Sequence, residues 1–328
     1  MKIVVDKNIP YIAGLLEPYA QVVYADGAAI DAAMVRDADA LVVRTRTRCD
    51  ESLLGGSRCR LVATATIGMD HIDTAWCAAN GVAVENAPGC NAPAVAQYVL
   101  ASILSLGDVA DDAVIGIVGV GHVGRIVDMW ARSLGYTTLL CDPPRALAEG
   151  AEGFVALDEI ARRADVVTFH TPLTKSGEHT TFHLADADFF ASVERTPLII
   201  NSARGGVVDE SALLDAIDAG RVKGAVVDCW EGEPNLNLRL LEKAAIATPH
   251  IAGYSQQGKL RATHMALDAL SRHLGLPHIA MSQESVMTVP ERVSRDEIIS
   301  GYDPAVDTAA LRADPSRFER LRNNYKYR

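Results

Sequence analysis

Gly119-Val120-Gly121-His122-Val123-Gly124 follows directly on the apolar run Ala113 to Val118 and leads into Arg125 to Leu134, which has helical periodicity. Three glycines at this spacing, between a strand and a helix, admit few folds. The first makes a tight turn, the second lets backbone approach a pyrophosphate, and the third lets helix and strand pack closely. The bound anion then lies on the helix N-terminus, where unpaired N–H groups and the positive dipole end converge. Without the flanking strand and helix the triplet would be weak, since glycine-rich turns arise by chance.

The next apolar run, Thr137 to Cys141, ends at Asp142, 18 residues after Gly124. A carboxylate there accepts hydrogen bonds from an adenosine ribose and repels a 2′-phosphate, which selects NAD. Asp142 also reads as a turn former ahead of Pro143-Pro144, and Arg145 close by keeps NADP open.

Short β-branched runs alternate with Ala-rich or amphipathic stretches over most of the chain, the pattern of a parallel sheet covered by crossover helices. Expected strands are Ile3 to Asp6, Val22 to Tyr24, Leu41 to Val43, Leu61 to Thr64 and Val82 to Val84. After the acidic linker Asp108 to Asp112 come Val114 to Val118, Thr137 to Cys141, Val166 to Phe169, Leu198 to Ile200, Ala225 to Val227 and Ala245 to Ala247. A length of 328 residues suits about two domains. Asn91 and Pro93 open a nearly all-apolar helix through Leu106. Ser255 opens a final one, with Leu260, Leu267, Leu270 and Leu274 on one face and Gly275 and Pro277 at its end. Residues 280 to 328 are charged, have few apolar periods and end in basic residues, so they read as a small appendage or interface element.

Three polar residues follow late strands, where open α/β sheets place ligands: Arg204 in NSARGGVVDE, Glu233 in DCWEGEP and His250 in TPHIAGY. Together they suit hydride transfer from a 2-hydroxy acid. His250 takes the hydroxyl proton, because imidazole titrates near operating pH. Glu233 orients that ring and favours its charged form. Arg204 offers a planar fork to the substrate carboxylate. Taken singly, each has a bland alternative: an Arg204–Asp209 pair, a solvated Glu233, a core His250.

Other features point elsewhere. Arg44, Arg46 and Arg48 alternate after an expected strand and in extended conformation would share one side, either a solvated edge or a phosphate-binding cluster. His179 and His183 have ligand spacing but no supporting Cys or carboxylate, so they read as a surface pair and no metal is expected. Cys90 reads as a buried or cap-adjacent thiol. The six cysteines show no CxxC pattern and the N-terminus no secretory pattern, which indicates a reducing cytoplasm. With 31 Lys+Arg against 42 Asp+Glu the net charge is −11, which argues against nucleic acid, and no apolar run is long enough to span a membrane.

The fingerprint, Asp142, NSARGGVVDE, EGEP and TPHIAGY resemble the D-isomer-specific 2-hydroxyacid dehydrogenase superfamily. Within it, TATIGMDHID, NAPGCNA, LLCDPPRA, TFHTPL, HIAGYSQQGK and FERLRNNY are similar to the erythronate-4-phosphate dehydrogenases. The resemblance implies an α/β chain of two Rossmann-like parallel-sheet domains. A discontinuous substrate domain (1–92 and 254–276) carries an inserted NAD-binding domain (93–253), and a short C-terminal dimerisation segment (277–328) makes a homodimer. It also implies oxidation of a small phosphorylated 2-hydroxy acid, 4-phospho-D-erythronate, to (R)-3-hydroxy-2-oxo-4-phosphobutanoate, a step toward pyridoxal 5′-phosphate. Arg204, Glu233 and His250 become catalytic. Gly119, Gly121, His122, Val123, Gly124, Asp142, Thr171, Asp228 and Gly253 become NAD contacts. Thr45, Thr66 and Tyr254 become substrate contacts, beside the candidates Arg44 and Arg46. The short linker, the short tail and Thr45 in place of an expected Ser depart from the family pattern. 3-Phosphoglycerate dehydrogenase, hydroxypyruvate or glyoxylate reductase, and an NAD(H)-sensing corepressor stay open as alternatives.

Overall fold

The computed structural model describes residues 1–281 and 288–327; residues 282–287 and 328 of the expected dimerisation segment lie outside the described residues. The chain forms two compact units, Met1–Asn91 with Ser255–Val289, and Ala92–Tyr254 with Pro290–Arg328.

In the first unit, β1 (Lys2–Asp6), β2 (Gln21–Ala25), β3 (Ala40–Val43), β4 (Leu61–Thr64) and β5 (Ala83–Glu85) form a parallel sheet in the order β2-β1-β3-β4-β5. Its middle strands are Val-, Ile- and Leu-rich because both faces are covered. One face packs against the helix Gln256–Leu274, whose Leu260, Leu267 and Leu270 join Ile3, Val5 and Leu61 in one core. The ends of that helix are local in origin. The Ser255 side chain accepts from the Gly258 N–H at 3.0 Å, and Gly275 closes the last turn in the left-handed region at φ 67°.

The second unit holds β6 (Val114–Val118), β7 (Thr137–Cys141), β8 (Val166–Phe169), β9 (Leu198–Asn201), β10 (Gly224–Val227) and β11 (Ile246–Ala247), all parallel, in the order β11-β10-β9-β8-β6-β7. The apolar helix Ala92–Leu106 belongs to this unit. Its Tyr98 hydroxyl lies 2.8 Å from the Thr248 hydroxyl, just past β11.

The tail departs from expectation. Residues 290–328 are counted within the second unit, not as an appendage, and form helices Arg295–Gly301, Pro304–Ala313 and Phe318–Asn323. Ser294 and Glu297 make a capping box on the first. The second covers the exposed sheet edge, because the Ala247 N–H of β11 donates to the Thr308 hydroxyl at 3.1 Å. Arg312 donates to the carbonyls of Leu241 and Ala244, while Leu311 and Phe318 are fully buried in the unit's core. Few apolar residues suffice here because the contacts are long-range, which periodicity does not register.

Candidate active site

Strand β6 lies between β7 and β8, so the chain leaves it in opposite directions and a crevice opens at the strand ends. The fingerprint occupies that crevice. Gly119 adopts φ +88°, and a Cβ there would stand 2.8 Å from the backbone of His170 and Thr171 at the end of β8. A Cβ on Gly124 would run into the Gly119 carbonyl oxygen, whereas nothing lies within 4 Å of a Cβ on Gly121. The turn is tight at its first and third glycines and open at the second, which leaves room there for an anion. Gly121 is also the N-cap of the helix His122–Ser133 and provides no side-chain cap, so the first N–H groups, with His122, Val123 and Gly124, lack that partner.

The Asp142 carboxylate accepts from the Val120 N–H at 2.8 Å and from the Arg145 N–H at 3.1 Å, binding the strand end to the glycine turn. Arg145 is committed elsewhere, to both oxygens of Glu149 (2.8 and 2.5 Å) and to the Val120 carbonyl at 2.7 Å. Its guanidinium already has these acceptors and does not stand free for a 2′-phosphate. Buried polar atoms without a partner among the described residues lie at neighbouring strand ends: His170 Nδ1, Thr171 Oγ1 and Ser202 Oγ. Burial pushes His170 down to about 3, so its ring is neutral. A glycine cradle and orphaned polar groups beside it fit a dinucleotide.

Glu233 and His250 meet after β10 and β11. His250 Nδ1 lies 3.0 and 2.9 Å from Oε1 and Oε2 of Glu233, and the Trp230 N–H donates to Oε1 at 2.9 Å. A cis bond joins Glu233 to Pro234. His250 has φ 56°, uncommon for a residue with a Cβ. Asp228 pins this loop. Its Oδ1 accepts from the Thr248 hydroxyl (2.7 Å) and the Ile251 N–H (2.7 Å), and its Oδ2 from the Ala252 N–H (3.0 Å), which also sets the turn containing Gly253. Burial alone would depress His250, but the Cys229 sulfur and the Glu233 carboxylate outweigh it and hold the ring well above an ordinary imidazole. Burial would raise Glu233, yet the His250 contact keeps it below the usual carboxylate range. Burial also raises the Cys229 thiol, while the neighbouring His250 pulls it back down.

Arg204 follows β9 and donates to the Ala203 carbonyl at 2.8 Å. It makes no ion pair among the described residues; Asp209 instead caps the helix Glu210–Asp218 and faces His183 at 3.4 Å. The guanidinium fork is not matched by any carboxylate there.

His183 differs from the expected surface histidine. It is half-buried and bridges Asp209 to Glu231, 3.0 Å from its Nε2. Nearby, Glu210 is buried, accepts from the Glu231 N–H at 2.7 Å, and is pushed up to about 7 by burial. No local signal pointed to this cluster, since its members are far apart in sequence.

In the first unit, the basic residues after β3 form a turn, not an extended edge: the Thr47 N–H donates to the Arg44 carbonyl at 3.3 Å. Alternation therefore does not place them on one side. Arg44 Nε lies 3.0 Å from Oδ2 of the fully buried Asp6, Arg48 turns to Asp50 at 2.7 Å, and Thr45 and Arg46 are exposed. Thr66 Oγ1 lies 2.7 Å from the Thr64 hydroxyl and donates to the Gly68 carbonyl at 3.0 Å. Tyr254, in the second unit, has the rings of Tyr325 and Tyr327 each 6.0 Å away. Cys90 is a buried free thiol, as expected.

Residues 103–252 match the family described as D-isomer specific 2-hydroxyacid dehydrogenase, NAD binding domain. A Bacteroides thetaiotaomicron protein named erythronate-4-phosphate dehydrogenase is 44% identical, covering 100% of this chain and 97% of its own length. One of the same name from Escherichia coli O17:K52:H18 is 44% identical, over 99% of this chain and 91% of its own. Among solved structures, D-lactate dehydrogenase from Aquifex aeolicus, complexed with NAD and lactic acid, aligns with a TM-score of 0.66 at 24% identity, over 84% of this chain and 96% of its own; this likeness concerns the fold.

Proposed function

The chain belongs to the erythronate-4-phosphate dehydrogenase family, within the D-isomer specific 2-hydroxyacid dehydrogenases, and from this premise we infer that it oxidises 4-phospho-D-erythronate to (R)-3-hydroxy-2-oxo-4-phosphobutanoate with NAD. The observation that carries the reading is the His250–Glu233 pair at a strand end of the NAD-binding unit, 2.9 Å apart. NAD, when bound, supplies the acceptor for the hydride leaving carbon 2. The glycine cradle with His122, Val123, Asp142, Thr171, Asp228 and Gly253 would hold it.

The rest is the work of this chain's residues. His250 Nε2 removes the C2 hydroxyl proton as the carbonyl forms, while Nδ1–H remains on Glu233, which fixes the tautomer and stabilises the imidazolium. Arg204 binds the substrate carboxylate and polarises the developing carbonyl oxygen. Thr45, Thr66 and Tyr254 contact the substrate, with Arg44 and Arg46 as cations for its phosphate.

We further propose that the enzyme is a cytoplasmic homodimer. The free cysteines support the first point, and the exposed apolar Ile299 and Val306 on the tail helices support the second.

The test supplies purified protein with NAD and 4-phosphoerythronate, 3-phosphoglycerate or glycerate in turn, and follows NADH absorbance. Fastest turnover of 4-phosphoerythronate is expected. Preference for 3-phosphoglycerate would overturn the substrate, and NAD binding without any turnover would overturn the activity.

A further inference from the structure

The Glu233 carboxylate has a third partner, from the end of the chain. In the helix Phe318–Asn323, Arg322 places Nη1 3.5 Å from Glu233 Oε2, the same oxygen that lies 2.9 Å from His250 Nδ1. Both side chains are shielded, at 30% and 18% exposure. Arg322 also bonds the Tyr254 side chain, and the rings of Tyr325 and Tyr327 approach Tyr254 from the same stretch. The last helix, Tyr325 and Tyr327 thus lie beside the loop that bears His250.

We propose that Arg322 is a positioning residue that acts on His250 through Glu233, steadying the carboxylate and drawing off part of its hold on the imidazole proton. The inference rests on the catalytic pair assigned above. An ion pair of this exposure adds little stability. Its effect on the ring is larger in consequence. A shielded carboxylate facing an imidazole alone favours the imidazolium, and an imidazolium does not accept the substrate's proton. A guanidinium on the same oxygen weakens that attraction.

The charged and titratable surroundings are compatible with this role. His250 faces Asp228, Cys229 and Glu233; Asp228 is committed to the loop backbone, and the Cys229 sulfur acts on the ring from within the same loop cluster, the same in wild type and variant. Glu233 faces His250, Arg322 and, farther off, Glu210. Arg322 faces Glu233, Tyr254 and Glu319 of its own helix. Among the described residues, Arg322 is the cation acting on Glu233 from outside its own loop and that of His250.

The experiment titrates His250 by its imidazole NMR signal, identified by its absence from His250→Ala, in the wild type, Arg322→Gln and Arg322→Lys. It needs no substrate, so it reads the inference even if the assigned substrate proves wrong; failure of the functional reading would appear separately, as absent turnover by the wild type. The His250 pKa is expected to rise by about half a unit in Arg322→Gln and to stay at the wild-type value in Arg322→Lys. The rising limb of the kcat/KM profile for oxidation should move up with it, an approximately threefold loss at a fixed pH below the limb. An unmoved or lowered pKa in Arg322→Gln, or an equal shift in both variants, would overturn the proposal. Should Arg322→Gln fail to fold, a lysine variant that folds with a shifted His250 would overturn it, and one that folds and titrates as wild type would uphold the need for a cation.

Discussion

The two units share a doubly wound parallel topology and treat its crevice in opposite ways. In the first, the switch point lies between β1 and β3, where the chain's own groups fill it: Asp6 at the end of β1 pairs with Arg44 just past β3. Gly27 packs so closely there that a Cβ would stand 2.7 Å from Asp6 Oδ2. In the second, the switch point lies between β6 and β8, where glycines leave an open turn beside buried polar atoms that have no partner among the described residues. Topology makes the crevice; side chains decide whether it is closed by an internal ion pair or kept for a ligand.

The comparison can be broken first at the closed crevice. Asp6→Ala leaves a partly buried guanidinium unmatched and should cost about 3 kcal/mol in denaturant unfolding, with NAD affinity unchanged. A loss of NAD binding with little loss of stability would mean that the first crevice is not a structural plug. At the open crevice's chemistry, His250→Ala should lower kcat by about 10²-fold while NAD binds as before. An undiminished kcat would remove His250 as the base.

Substitution at the cradle sharpens the contrast further. Since nothing surrounds its Cβ position, Gly121→Val should leave the melting temperature in place and weaken NAD about tenfold by blocking close backbone approach; fluorescence titration with NADH measures this. For Glu233→Gln, the pH profile of oxidation is the readout. In the proposed mechanism the neutral ring is the base, so the rate rises with pH through the His250 pKa. Loss of the carboxylate makes the imidazolium less favourable, and the rising limb should move to lower pH by about one unit. The smallest effect is expected at Arg46→Ala, a several-fold rise in KM for the phosphorylated substrate with little change for its dephosphorylated analogue. Equal changes on both would return Arg46 to the solvated surface.

Much of the second unit's site was legible because its signals are local. The glycine spacing, Asp142 at the end of the following strand, and polar residues just past β9, β10 and β11 each lie beside the element that positions them. So do the Ser255 cap and the Gly275 stop. The readings that changed involve partners distant along the chain. The Arg44 reading could not include Asp6, the His183 reading could not include Glu231, and the tail's few apolar residues gave no hint that Thr308 would cap β11.

From sequence alone come two alternating α/β patterns, a glycine turn of dinucleotide type, and candidates for a base, an acid and a cation at strand ends, because period, capping and glycine geometry are written within a few residues of where they act. Tertiary structure decided the rest. It set His250 at positive φ on a loop pinned by Asp228, committed Arg145 to Glu149 and Arg44 to Asp6, and brought Arg322 to Glu233. These depend on which distant side chains packing places within hydrogen-bond reach, and packing is a property of the whole folded chain.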